Sequence, residues 1–168
     1  MADPKAVVIG YGYAGRSFHS YLIDITPDLT LHGVASRNPQ TRARIVAERG
    51  CKAYDGFDAV LADPEVDLVV LDMNMPGLRG INVLAEIVGS NDMTVIILTG
   101  ETQFTEIEYA LKLGARGAVS KSEPATEILR ACDAALDGEV YLSQMMRRGL
   151  ASVQAPEIAL SPRQMAIL

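Results

Sequence analysis

Short runs of valine, isoleucine and leucine, each followed by a stretch with helical spacing, recur along the chain and narrow its fold more than any other feature. Residues 5–9, 29–35, 67–71, 94–98 and 116–119 read as strands, and 51–54 as a short edge strand. Residues 16–23, 39–49, 57–62, 78–88, 104–113 and 124–136 read as helices. Asn38 and Pro39 supply an N-cap and a proline at the first helical position, while Gly50, Gly114 and Gly138 supply helix stops. The strands are apolar throughout instead of alternating, so both of their faces must be covered.

Regular alternation of such strands with helices predicts a single doubly wound α/β sandwich of three layers, Rossmann-like or flavodoxin-like. Its sheet is expected to be parallel, in the order 3-2-1-4-5-6. The switch point then falls between the first and fourth strands, where Gly10 and Asp72 would face each other across one crevice. Residues 1–142 are expected to form this domain. Residues 143–168 read as a tail, with one helix over 143–152 broken by Ala155 and Pro156.

With no tryptophan and three phenylalanines, the core must come from Val, Ile, Leu and Ala. The net charge of -6 argues against a nucleic-acid partner. Arg147 and Arg148 are the one adjacent basic pair, and they read as a solvated helix face. Cys51 and Cys132 lie far apart with no CxxC spacing, which points to reduced thiols and to neither a metal site nor a disulfide framework. No run approaches the ~20 apolar residues of a membrane span. A cytoplasmic protein, monomeric or weakly dimeric, is expected.

Gly10, Gly12 and Gly15 form GYGYAG between a strand and a helix, where backbone N–H groups can meet a pyrophosphate. A turn without any cofactor uses the same glycines. At the end of the second strand, where an NAD site needs a carboxylate, stand Ser36 and Arg37, a pair suited to a 2'-phosphate and so to NADP. GYGYAGRSFH, LHGVASRNPQTRAR and YDGFDAVLADPEVDLVV resemble the start of the glucose-fructose oxidoreductase and inositol dehydrogenase family over about residues 5–70. That resemblance implies a cofactor role for Gly10, Gly12, Gly15, Ser36 and Arg37. His19 matches a family histidine, although a helix histidine packed on a neighbour fits as well. The family's threonine-proline turn, Glu-Lys-Pro motif and substrate domain do not follow Val70, so no catalysis is expected.

From about residue 68 onward the chain resembles a response-regulator receiver of the NarL/FixJ type. LVVLDMNMPGLRG, VIILTGE and GARGAVSKSEP carry the likeness, and LSPRQMAIL resembles the opening of a LuxR-type helix-turn-helix domain. The resemblance implies that Asp72 is the phosphoacceptor, Thr99 the hydroxyl that follows the phosphoryl group, and Lys121 its counter-charge. A receiver's acidic pair at the end of the first strand is replaced by Gly10 and Tyr11, leaving too few hard oxygen ligands for Mg2+. Ala118 stands at the aromatic switch position. On these grounds Asp72 reads as a solvated carboxylate at a strand end, and the constellation as inactive.

Two resemblances that meet inside one strand, with no linker, suggest a recombined chain whose halves are residues 1–70 and 71–142. The expectation is an engineered chimeric scaffold without a complete active site, needing no cofactor and keeping at most weak NADP binding. The alternative is a degenerate CheY-like receiver of a two-component response regulator, with Asp72 accepting the phosphoryl group.

Overall fold

The structure is a computed structural model that describes residues 3–9, 29–75, 78–90, 93–100, 104–124 and 126–154. Strands β1 (Lys5–Ile9), β2 (Thr30–Ala35), β3 (Lys52–Tyr54), β4 (Leu68–Asp72), β7 (Thr94–Thr99), β8 (Gly117–Ser120) and β9 (Tyr141–Leu142) form one sheet. A small antiparallel pair, β5 (Asn74–Met75) and β6 (Leu78–Arg79), stands apart from it. The described helices are α1 (Pro39–Arg49), α2 (Phe57–Leu61), α3 (Gly80–Ser90), α4 (Phe104–Leu113), α5 (Thr126–Leu136) and α6 (Gln144–Gln154).

The seven-stranded sheet runs β3-β2-β1-β4-β7-β8-β9, and all of its pairings are parallel. Counted along the main sheet this is the expected order with one strand added at the far edge. The addition, β9, is held by backbone bonds from Tyr141 N–H to the Arg116 carbonyl and from Ser143 N–H to the Ala118 carbonyl. Two residues are too few to show any periodicity, which is why the sequence does not announce them.

Burial explains the unbroken apolar strands. In β4 every residue is buried, and the pleat sends alternate side chains into opposite layers. Val69 and Leu71 join Val7, Ile9, Val95 and Ile97 beneath α2, α3, α4 and α6, whose Val60, Leu84, Ile87, Ile107, Met146 and Leu150 complete that core. Leu68 and Val70 join Ala6, Val8, Ile96 and Leu98 beneath α1 and α5, through Ile45, Ile128, Ala131 and Cys132. Each fully buried aliphatic side chain contributes about 1.5–3 kcal/mol, so neither layer is optional.

Local signals act as expected at α1. The Asn38 side chain accepts from the N–H groups of Gln40 and Thr41 at 2.9 and 3.2 Å. Gly50 ends the helix in the left-handed region at φ 64, a conformation that other residues adopt at a cost.

Most boundaries shift from the sequence reading by a residue or two, and three differences matter for the site. The helix expected over 78–88 starts at Gly80, because residues 78–79 pair back onto 74–75. Gly80 sits so close to Met73 that a Cβ there would lie 2.7 Å from the Met73 Cα, so the segment folds tightly over the end of β4. The helix expected over 124–136 begins at Thr126, and its Ala125 lies outside the described residues. The helix expected in the tail is packed on the domain, with Met146 at 1% and Leu150 at 7% exposure. The helix expected over 16–23 lies outside the described residues, and so does the chain beyond Gln154.

Candidate functional site

Parallel strands bring their C-terminal ends to one edge, and β4, β7 and β8 are neighbours in that order. Asp72 is the last residue of β4, Thr99 the last of β7, and Lys121 follows the last residue of β8. Their registers pair Asp72 with Leu98 and Thr99 with Ser120, so the three candidate residues sit at adjacent strand ends, each one step further along than the last. The Lys121 N–H donates to the Thr99 carbonyl at 2.8 Å, tying the two strand ends together.

Asp72 is not the solvated carboxylate expected from sequence. It is 8% exposed, and Lys121 Nζ lies 2.6 Å from its Oδ2. Its Oδ1 accepts the Asn74 N–H at 2.8 Å. The reason is the turn after β4, which folds back over the strand end while β8 delivers a cation from the other side. A charge-assisted bond of this length in a half-dry setting is stronger than an exposed pair. Thr99 is 5% exposed beside it. Ala118, at the position where receivers place an aromatic ring, is fully buried under α6 within the Met146 and Leu150 cluster.

The Mg2+ that receivers use needs several hard oxygens around the acceptor. Here both Asp72 oxygens already have partners, and among the described residues Asp72 belongs to no cation-sized group of three or more acidic, histidine or cysteine side chains. Gly10 and Tyr11 carry no carboxylate. Among the described residues no full ligand set for that ion surrounds Asp72.

The front-half candidates are placed in part. Gly10, Gly12, Gly15 and His19 lie outside the described residues, and so does the Gly10 side of the expected crevice. Ser36 and Arg37 follow β2, where Arg42 donates to their carbonyls at 2.9 and 3.0 Å. The Arg37 side chain is exposed, and Ser36 Oγ accepts weakly from the Asn38 N–H at 3.4 Å.

Sequence reasoning missed a second polar cluster on the β2–β3 flank. His32 Nε2 lies 3.2 Å from Asp63 Oδ2, which also accepts from Tyr54 Oη and Lys52 Nζ, both at 2.7 Å. Glu65 adds ion pairs to Lys52 and Lys5. The Lys52 ammonium, with the Tyr54 hydroxyl, the Glu65 N–H and His32 behind it, holds Asp63 well below the usual carboxylate range. Burial first, and then the Asp63 carboxylate, push the Tyr54 phenol above its usual value. Ligating atoms of His32, Asp63 and Glu65 lie within 4.8 Å of one another. Two ammonium groups already neutralise the carboxylates, so the group is complete as an ion-pair network. Its members are scattered in sequence, with no motif to reveal them.

Known proteins fall on both sides of the chain. Residues 42–133 match the response regulator receiver domain, and residues 5–76 match the oxidoreductase family with an NAD-binding Rossmann fold. The nitrate/nitrite response regulator NarL of Escherichia coli K12 is 28% identical over 156 residues, covering 88% of this chain and 65% of NarL. The response regulator UvrY of the same strain is 28% identical over 135 residues, covering 74% of this chain and 60% of UvrY. The chain thus spans less than two thirds of the length of these relatives.

Among solved structures, a LuxR-family response regulator from Aurantimonas sp. SI85-9A1 superposes with a TM-score of 0.67 at 21% identity, covering 89% of this chain and 96% of that one. The 3-ketoreductase KijD10 of Actinomadura kijaniata, solved with NADP, reaches 0.55 at 17% identity, covering 66% of this chain and 34% of that one. Both are alike in fold. The receiver match begins at residue 42, well before the strand where a junction was expected, and the two family matches overlap over residues 42–76. A clean join of two halves at residues 67–70 is therefore not what the matches draw. The receiver alternative fits them better than the chimeric scaffold. No described helix is long and apolar enough to cross a membrane.

Proposed function

Because the chain belongs to the response regulator receiver domain family, we propose that it is a degenerate receiver of the NarL/LuxR kind, a two-component signalling module that works by protein contact. Asp72 holds the phosphoacceptor position, with Thr99 and Lys121 in the accompanying roles. The observation that carries the reading is the closure of Asp72, whose Oδ2 is paired with Lys121 Nζ at 2.6 Å and whose Oδ1 is bound by the Asn74 N–H. Lys121 and the Asn74 N–H each take one lone pair of the carboxylate and draw on its charge, which makes it a weaker nucleophile toward phosphorus. Among the described residues Lys121 is the cation paired with Asp72 to balance the charge that phosphoryl transfer develops. The pair works as a fixed brace between β4 and β8.

The test is incubation of the protein with acetyl phosphate and Mg2+, followed by intact mass, with a phosphorylatable receiver as positive control. An unchanged mass is expected. A gain of one phosphoryl group that disappears in Asp72→Asn would overturn the degenerate reading and return Asp72 to an active phosphoacceptor.

A second reading, weak NADP binding by the front half, is supported by the match of residues 5–76 and by the exposed Arg37 beside Ser36. Titration with NADPH, followed by the fluorescence of the nicotinamide, tests it. Saturation that is lost in Arg37→Ala would support it, and a flat titration would end it.

A further inference from the structure

The loop that carries Lys121 is joined to α6 by two side chains: Ser122 Oγ donates to the Met145 sulfur at 3.8 Å, and Glu123 makes the closer link to the backbone. Residues 120–123 form a tight turn in which the Glu123 N–H donates to the Ser120 carbonyl at 3.1 Å, while the Ser120 N–H donates to Glu123 Oε2, also at 3.1 Å. The other carboxylate oxygen, Oε1, reaches out of the turn and accepts the N–H of Met145 at 3.1 Å. Met145 is the second residue of α6, and its N–H is one of the helix-end donors that have no partner within the helix. Ser143, the residue before the helix, accepts the Met146 N–H on its Oγ at a long 3.5 Å. Glu123 therefore caps α6 from a different part of the chain, and its negative charge sits at the positive end of the helix dipole.

Arg147 Nε adds a bond to the Leu142 carbonyl at 2.7 Å, and the base of the α6 seat is apolar and leaves room. Met146 and Leu150 anchor the helix on the core, and the Phe104 ring lies flush against Gly149, where a Cβ would come within 1.9 Å of it. Beside Glu123 a cleft of about 440 Å³ opens between α4 and α6, lined also by Phe104, Gln144, Met145, Arg148 and Gly149. The seat is firm at its base and hollow at the end where the carboxylate bridges it.

We propose that Glu123 is a latch that ties the docking of α6 to the Asp72–Lys121 pair, so that loosening the pair loosens the helix. The pair fixes Lys121, the tight turn fixes Glu123 relative to Lys121, and Glu123 fixes the first turn of α6. This rests on the degenerate-receiver reading, because it takes the pair as the element that sets the state of the domain. Glu123 is a positioning residue and touches no reacting atom.

The test is amide hydrogen exchange on the full chain, comparing wild type, Lys121→Ala, Glu123→Ala, Glu123→Gln and the double variant Lys121→Ala/Glu123→Ala. Exchange in β4 and β7 reports whether each variant stays folded, and Glu123→Gln serves if Glu123→Ala does not. Expected is about tenfold faster exchange over residues 145–150 in Glu123→Ala, the scale of a lost helix cap. Lys121→Ala should speed the same amides, and its effect should vanish in the Glu123→Ala background, the signature of coupling.

If Lys121→Ala leaves these amides unchanged while Glu123→Ala speeds them, Glu123 is a cap alone and the latch is overturned. It is equally overturned if Glu123→Ala has no effect. Intact mass after acetyl phosphate treatment of the same samples reads the degenerate-receiver assignment separately, so failure of one is distinguishable from failure of the other.

Discussion

The Phe104 ring occupies the space that a side chain at Gly149 would need, with its edge atoms 1.9 Å from where that Cβ would stand. α4 and α6 can approach closely because this one position in α6 is bare. Alanine is the better helix former by about 1 kcal/mol, yet overfilling a packed contact costs about 1–3 kcal/mol. Gly149→Ala should therefore destabilise the protein. With the ring removed in Phe104→Ala, the same substitution should change sign and stabilise by about 0.5–1 kcal/mol. Urea denaturation of the two single variants and the double variant checks the reversal.

Lys121 and Asp72 make a different kind of contact, one that is dangerous to break by halves. Lys121→Met would leave a largely buried carboxylate with only the Asn74 N–H as partner, at a cost of about 2–3 kcal/mol. Asp72→Leu should cost a similar amount, by leaving the ammonium without its acceptor. In the double variant no charge remains to be stranded, so the combined loss should be smaller than the sum of the two single losses. Denaturant midpoints measured at constant slope would show it. Additive losses would mean that the two groups do not depend on each other.

Cys132 tests how closed the α1–α5 layer is. It is fully buried, and burial pushes its thiol up to about 12, so almost no thiolate forms near neutrality. In a Cys51→Ser variant the remaining thiol should ignore Ellman's reagent in the native state and react at the rate of global unfolding. Full reaction within minutes in native buffer would show that this layer opens locally.

How far the sequence could be read depends on how local each cause is. The α1 cap, the Gly50 stop and the central strands were legible because Asn38, Pro39 and unbroken apolar runs act within a few residues of themselves. Asp72, Thr99 and Lys121 were legible as a set only through resemblance. Their placement at adjacent strand ends follows from the strand order, but the closure of Asp72 does not, because it depends on the back-folded turn and on a lysine 49 residues away. The α6 seat was misread as a tail for the same reason. Met146 and Leu150 look like any amphipathic helix until Ala118 and Ile107 are placed opposite them. The His32–Asp63 network has no sequence signature, since Tyr54 and Lys52 reach Asp63 from a neighbouring strand.

That network gives the stability of the domain its acid limb. Asp63 is held below its ordinary value chiefly by Lys52, and then by Tyr54, the Glu65 N–H and His32. A carboxylate with a depressed folded-state value stabilises the native state above its unfolded value, near ~4. The contribution is lost as the pH falls through the lower folded-state value. Lys52 is about half exposed, so solvent screens its part, and the buried Tyr54 hydroxyl and the Glu65 N–H carry more of the effect than their rank suggests. Asp63→Asn keeps one acceptor oxygen and removes the charge. It should lower stability by about 1–3 kcal/mol at about pH 7, and the difference from wild type should shrink steadily below about pH 4. Urea midpoints of both proteins across that range decide the matter. A gap that stays constant down to about pH 2 would mean that packing at Asp63, and not its ionisation, sets the acid limb.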